Sequence, residues 1–267
     1  MDIAAVENPR DVLNVDTLNE LVPQCSGIVH LAAISRVVWG QENPEQCKQV
    51  NIGGTRNVLD AAQAHANKPW VIFGSSREVY GQAPKMPVSE DDQLNEINVY
   101  GGTKVEGERM TMAARNHGLC TAIVRFSNVY GRCSDHVTRV TPAFARAAVL
   151  GSEIRVDGSA HTFDFVHLDD VVIALSKLIQ QLEGGRNDLP PIHLVTGEAT
   201  TLGQLAEWTV ECSEGRCRVR EAPERDYDVG KFVGDPSRAK ELLDWEAKIK
   251  AKAGFFQLVE DFRKFLE

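Results

Sequence analysis

Tyr100 and Lys104 stand four residues apart in Tyr100-Gly101-Gly102-Thr103-Lys104, so on a helix both side chains leave the same face. An ammonium held beside a phenol favours the phenolate. It draws down a pKa that is otherwise about 10 and makes tyrosine usable as a proton acceptor near neutral pH. Taken alone, the pair also fits an amphipathic helix with a solvated lysine. Upstream, the apolar run 70–73 leads into Gly74-Ser75-Ser76, small residues at the end of a strand. A parallel sheet presents its catalytic groups at the carboxyl ends of its strands. Ser76 is therefore placed to hydrogen-bond the same hydroxyl that Tyr100 deprotonates, the alternative being a turn or a helix cap.

The elements that position these groups follow from periodicity. Residues 27–33 (GIVHLAA) form a short apolar run of the kind buried on both faces. Residues 44–66 space Val50, Val58, Leu59 and Ala62 along an amphipathic helix, which Lys68-Pro69 closes before the strand at 70–73. A second long helix, about 98–116, stops at His117-Gly118 and leads to a strand at 121–126. This alternation predicts an α/β fold, a parallel sheet flanked by helices. Beyond Tyr130 the rhythm loosens. Helices are expected at 141–150, 169–182, 202–212, 236–243 and 254–265, strands at 154–156, 192–195 and 216–220, and a loop at 184–191. This half reads as a smaller lobe closing over the end of the sheet.

Length and charge bound the function. The chain has 267 residues, 43% of them hydrophobic, with 29 Lys+Arg against 38 Asp+Glu and a net charge of −9. That suits one large domain or two packed ones and excludes a disordered chain. The acidic balance argues against a general nucleic-acid binder or a protein of anionic membrane surfaces. Apolar runs such as 171–175 fall far short of the ~18 residues of a membrane span, and Met1-Asp2-Ile3 does not open a signal peptide. A cytoplasmic protein is the default. Six cysteines without a Cys-x-x-Cys read as reduced thiols, and His161 and His167 lack metal-ligand spacing, so no metal site is expected.

Six stretches in order carry a resemblance: His30-Leu31-Ala32-Ala33, residues 51–57 (NIGGTRN), 75–81 (SSREVYG), 100–104 (YGGTK), 125–131 (RFSNVYG) and 164–171 (DFVHLDDV). Residues 234–239 (GDPSRA) and 242–245 (LLDW) add a C-terminal signature. Together they resemble the extended short-chain dehydrogenase/reductases, and among them the NAD-dependent epimerase/dehydratase family that acts on nucleotide sugars. The resemblance implies a Rossmann-like, doubly wound parallel sheet with a smaller C-terminal α/β substrate lobe. The cofactor domain would take residues 1–133 and 163–195, and the substrate lobe 134–162 and 196–267.

It further implies that Tyr100 is the base, that Lys104 binds the nicotinamide ribose and lowers the tyrosine pKa, and that Ser76 completes the triad. Leu31, Ala32 and Ala33 would pass beneath the cofactor, and Asp2-Ile3 would touch its adenine. Asn128 lies where the family contacts the substrate diphosphate. Arg155 and Arg225 suit bidentate phosphate recognition or are surface charges. The cofactor expected is NAD, with NADP as the alternative. The partners expected are a nucleotide sugar and a second copy in a homodimer.

Two departures qualify this. Dehydratases of the family place an acidic pair after the strand-end hydroxyl, whereas here the first position is Arg77, always charged and a poor proton donor, while Glu78 remains. Dehydration is disfavoured. Epimerisation is expected, with Glu78 leaving decarboxylation or another alcohol dehydrogenation as alternatives, or serving only in packing or a salt bridge. The sequence also contains no Gly-x-x-Gly-x-x-Gly turn to receive a pyrophosphate. The expectation is an N-terminally truncated sheet, its first strands preceding Met1, and the competing reading is a catalytically impaired remnant that binds or dimerises.

Overall fold

In the computed structural model, which describes residues 11–266, three strands lie parallel in the order β1 (Gly27–His30), β2 (Trp70–Ser76) and β3 (Thr121–Phe126). Ile28 is opposite Val71, and Val71 opposite Thr121. Ile192 opens the fourth strand of this sheet. These strands belong to the first of two compact units, which comprises Met1–Gln82, Glu90–Phe126 and Leu178–Ile192. Val71, Ile72, Phe73, Ala122, Ile123 and Val124 are all buried, as the unbroken apolar runs require.

Helices α1 (Val15–Leu21), α2 (Val37–Glu42), α3 (Pro44–Lys48), α4 (Gly54–Ala64) and α5 (Val99–Asn116) accompany the strands. Leu59 and Ala62 of α4 pack with Val22, Val71 and Leu119, the apolar face that the spacing at 44–66 predicts. That stretch is not one regular helix, because a π turn, Gln49–Gly53, separates α3 from α4. The widened turn coincides with a buried Asn51, whose amide bonds outside its own helix. Strand β1 likewise ends at His30 rather than at Ala33, since the backbone N–H and C=O of Ile34 both bond to Asn51. Two short helices, α1 and α2, escape the periodicity reading. The first is capped by Asn14, whose Oδ1 accepts from Thr17 N at 3.1 Å.

α5 is the element on which the candidate site depends. Asn98 caps it, its Oδ1 accepting from Gly101 N at 2.8 Å, and His117 and Gly118 end it, with Gly118 at φ +84°. Gly107 lets α5 close on β2: a Cβ there would stand 2.2 Å from Phe73 Cζ. Gly107→Ala is expected to destabilise the fold by about 2 kcal/mol, overpacking exceeding the gain in helix propensity. A urea midpoint at or above the wild type's would contradict this close packing.

The second unit comprises Ala83–Ser89, Ser127–Lys177 and His193–Glu267. Among the described residues it holds three small sheets. Strand β4 (Asn128–Tyr130) pairs in parallel with Phe165–His167, Ile154–Asp157 pairs in parallel with Val219–Ala222, and Thr162–Phe163 lies between Lys231–Phe232 and Thr200–Thr201. The helix Leu202–Cys212 carries a capping box from Thr201 and Gln204. Its core joins Phe144, Phe163, Phe165, Leu205, Phe255 and Phe262. The strand expected at 216–220 begins instead at Val219. Arg216 and Cys217 are held in a turn, their backbone N–H groups bonding Ser213 O at 3.2 Å and Ser213 Oγ at 2.9 Å. Among the described residues no helix is long and apolar enough to cross a membrane, and no cluster of His, Cys, Asp or Glu could hold a metal.

Candidate active site

The first unit gathers Ser76, Tyr100 and Lys104, all buried, at the carboxyl end of β2 and the start of α5. Lys104 Nζ donates to the Gly74 carbonyl at 2.7 Å and lies 5.0 Å from the Phe73 ring centre and 5.7 Å from that of Tyr100. Burial pushes its ammonium down to about 8, opposed by Cys47 and Glu108. Ser76 Oγ accepts from Glu78 N at 3.2 Å and so starts the 3₁₀ turn Arg77–Tyr80. The cap and the strand-end hydroxyl are therefore one residue, with the hydroxyl proton left over for a ligand.

Glu78 is buried between two donors. Arg77 Nη2 is 3.0 Å from its Oε1, and Asn98 Nδ2 donates to its Oε2 at 2.8 Å. Asn98 thus caps the Tyr100 helix and grips Glu78 with one amide. Gly101 permits this approach, since a Cβ there would come within 2.7 Å of the Glu78 carbonyl oxygen.

Asn51, which the sequence reading left without a role, completes the surroundings together with the segment after β1. Asn51 Oδ1 accepts from Ile34 N at 2.7 Å, while its Nδ2 donates to Ile34 O at 3.1 Å and to Thr103 Oγ1 at 2.9 Å. It ties the segment after β1 to the helix turn between Tyr100 and Lys104. Its signal was a lone amide amid an apolar helical stripe. Leu31, 53% exposed, packs at Gly74, where a Cβ would stand 2.8 Å from Leu31 Cδ2; Ala32 and Ala33 are half-buried.

His30 is buried, with Nε2 3.0 Å from Thr55 Oγ1. The threonine hydroxyl donates to Asn51 O at 2.6 Å, which makes His30 Nε2 the donor of the pair. Burial, aided by Lys104, pushes the His30 ring down to about 3. The unfolded chain, with an ordinary histidine at 6.5, binds the proton first as pH falls. The stability carried by neutral His30 is whole above pH 6.5 and is lost as pH drops toward 3. His30→Gln is expected to lose about 3 kcal/mol less than the wild type between pH 7 and pH 4. Parallel denaturation curves for the two proteins over that range would refute it.

In the second unit, Asn128 begins β4, its backbone N–H donating to Asp164 O at 3.1 Å. Asp164 is fully buried and accepts from Thr196 N, Thr196 Oγ1 and Gly197 N, each at 2.8 Å. Desolvation pushes this carboxyl up, against those bonds. Arg155 is exposed and bonds Asp157 Oδ1 at 2.6 Å. Arg225 bonds Asp228 Oδ2 at 2.7 Å, lies 5.6 Å from the Tyr227 ring centre, and feels the charge of Asp157 as well. Asp157 thus bonds one arginine and acts by its charge on the other. Asp2 and Ile3 lie outside the described residues.

Residues 7–190 match the NAD dependent epimerase/dehydratase family. The chain belongs to that family. Among curated members, UDP-glucuronic acid decarboxylase 3 of Arabidopsis thaliana is 29% identical over 97% of this chain and 76% of its own length. Among solved structures, a UDP-glucose 4-epimerase of Thermotoga maritima, crystallised with UDP-glucose, superimposes with a TM-score of 0.90 at 27% identity, covering 100% of this chain and 87% of that one. MoeE5, solved with UDP-glucose and NAD, gives 0.87 at 26% identity over 96% and 85%. The fold is therefore Rossmann-like and the family NAD-dependent. The residues here fit the nicotinamide-ribose end of that cofactor. Lys104 supplies buried donors for hydroxyl groups, and exposed Leu31 with small Ala32 and Ala33 leaves an open apolar strand end beside Gly74. No glycine-rich turn for a pyrophosphate lies among the described residues.

Proposed function

We propose that this chain is a NAD-dependent oxidoreductase that acts on a nucleotide sugar through a transient keto intermediate, with epimerisation as the outcome. The observation that carries the reading is the seat of Lys104: its amine bonds the carbonyl of Gly74, two residues before Ser76, and its stem lies one helical turn from Tyr100. Base, ammonium and hydroxyl thus belong to one strand end and one helix start. Similarity to an epimerase solved with UDP-glucose supports the substrate class.

Removal of hydride from a sugar carbon and its return is the chemistry NAD supplies when bound. The chain supplies proton transfer and orientation. Tyr100 takes the proton of the reacting sugar hydroxyl, Ser76 hydrogen-bonds that hydroxyl, and Lys104 holds ribose hydroxyls while favouring the phenolate. Tyr100 returns the proton when the carbonyl is reduced. Leu31, Ala32 and Ala33 line the cofactor side. Asn128, Arg155 and Arg225 of the second unit take the substrate diphosphate in this reading, the arginines exchanging Asp157 and Asp228 for phosphate oxygens. A homodimer belongs to the same reading, and sedimentation velocity measures it.

Glu78 supports decarboxylation as a second outcome, since an acidic residue follows the strand-end hydroxyl and a decarboxylase is among the relatives. Both its oxygens already accept from Arg77 and Asn98, an arrangement that suits anchorage of the helix start better than proton delivery. Purified protein given NAD and UDP-glucose is expected to form UDP-galactose, read by anion-exchange chromatography. A parallel incubation with UDP-glucuronate reads carbon dioxide for the second outcome. Binding of cofactor and sugar nucleotide without any conversion would replace both with the binding-protein reading.

A further inference from the structure

α5 carries two buried side chains of opposite charge one helical turn apart, Lys104 and Glu108, and β2 receives them on consecutive residues. Lys104 Nζ donates to Gly74 O at 2.7 Å, and Ser75 Oγ donates to Glu108 Oε1 at 2.5 Å. The next residue of the strand is Ser76. Beyond Glu108, Arg125 of β3 forks onto both carboxylate oxygens, Nε to Oε1 at 2.8 Å and Nη2 to Oε2 at 2.7 Å. Its Nη1 goes on to the Tyr80 hydroxyl at 2.5 Å and to Glu90 O at 2.8 Å. The proposed reaction leaves Glu108 without a task, yet a buried carboxylate with three donors is costly to build.

The Lys104 ammonium bonds a neutral carbonyl and lies over two aromatic rings, with no carboxylate in direct contact among the described residues. The other titratable groups that face Lys104 are Cys47 from α3, His30 from β1 and Tyr100 from its own helix. Burial pushes the Cys47 thiol up and the His30 ring down, so both are neutral at pH 7. The carboxylate acting on Lys104 is Glu108, one helical turn away, onto which Arg125 forks.

We propose that Glu108 is a positioning residue of the reaction: its carboxylate holds Lys104 as an ammonium and, through Ser75, seats the strand end that presents Ser76. The catalytic consequence rests on the reading of Tyr100 and Lys104 given above, whereas the charge coupling does not. The two fail separately.

The experiment follows the Lys104 amine itself. Protein labelled with ¹³C at the lysine ε-carbons is titrated by NMR from pH 6 to 11, with the Lys104 signal assigned from its loss in Lys104→Met. Glu108→Gln is expected to lower the Lys104 midpoint by about one pH unit. Because that variant leaves Arg125 buried without a counter-ion, Glu108→Gln/Arg125→Gln is titrated beside it. Its midpoint is expected to fall by roughly half a unit, since Glu108 is among the charges acting on Lys104 and stands one helical turn from it, whereas Arg125 reaches Lys104 only beyond Glu108. Glu108→Asp is expected to return the midpoint toward the wild type's. The alkaline limb of kcat against pH moves with the midpoint, and KM for the sugar nucleotide stays in place. Ser75→Ala keeps every charge and is expected to lower kcat about fivefold at an unchanged Lys104 midpoint.

An unmoved Lys104 midpoint in a folded double variant overturns the coupling. Undiminished kcat in Ser75→Ala overturns the seating of Ser76, and that variant decides the proposal if neither Glu108 variant folds. A wild type without turnover but with the shifted midpoints removes the proposed function and leaves the coupling standing.

Discussion

Replacing Tyr100 with Phe is expected to lower kcat about 10³-fold while leaving NAD and sugar-nucleotide binding within about twofold. The substitution deletes one oxygen from a side chain buried at the start of α5 and leaves the ring against Lys104. What is lost is the acceptor for the hydroxyl proton. The helix stays capped by Asn98, and Lys104 keeps its bond to Gly74. Steady-state kinetics and calorimetry read the two halves of this expectation. A Tyr100→Phe protein within tenfold of wild-type kcat would remove Tyr100 as the base, and with it the mechanism.

Arg125→Leu is expected to be the most destabilising single change, at about 4 kcal/mol. It leaves the Glu108 carboxylate buried with only the Ser75 hydroxyl, and it strips a donor from the Tyr80 hydroxyl and the Glu90 carbonyl. Breaking one side of a buried ion pair costs more than removing both, because the survivor stays desolvated. Arg125→Leu/Glu108→Leu is therefore expected to recover at least about 2 kcal/mol of the loss. Chemical denaturation of the four proteins closes the cycle. Losses that simply add would mean that the pair is not coupled.

Much of the first unit could be read from apolar periodicity, because strands buried on both faces are unbroken apolar runs and α5 begins and ends on residues with evident capping chemistry. The strand at 121–126 and the helix from about 98 to 116 match the structure to within a residue. That Tyr100, Lys104 and Ser76 share one helix start and one strand end could be read from spacing and motif order, since a helix fixes an i, i+4 pair and a strand end fixes its neighbour. Polar partnerships between distant segments could not. The Asn51 amide binds Ile34 and Thr103, and neither distance in sequence nor residue type announces that pairing. The π turn and the early end of β1 accompany it. Arg125 was the readable hint that went unused: a guanidinium inside an apolar strand requires a buried counter-charge, and Glu108 lies one turn beyond Lys104. In the second unit, two- and three-residue strands carry too little pattern to be seen, and a turn around Ser213 displaced the one expected at 216–220.

Cys47, with no measurable exposure, lies under the same helix. Its Sγ is 3.4 Å from Asn51 Nδ2 and would stand 3.3 Å from a Cβ on Gly40. Burial pushes the thiol up, so no reagent meets it as a thiolate while α3 is seated on α5. In a protein whose other five cysteines are changed to serine, the rate of thiol labelling becomes a clock for the lifting of that contact. It counts openings of the contact between α3 and α5 that leave the rest of the fold intact.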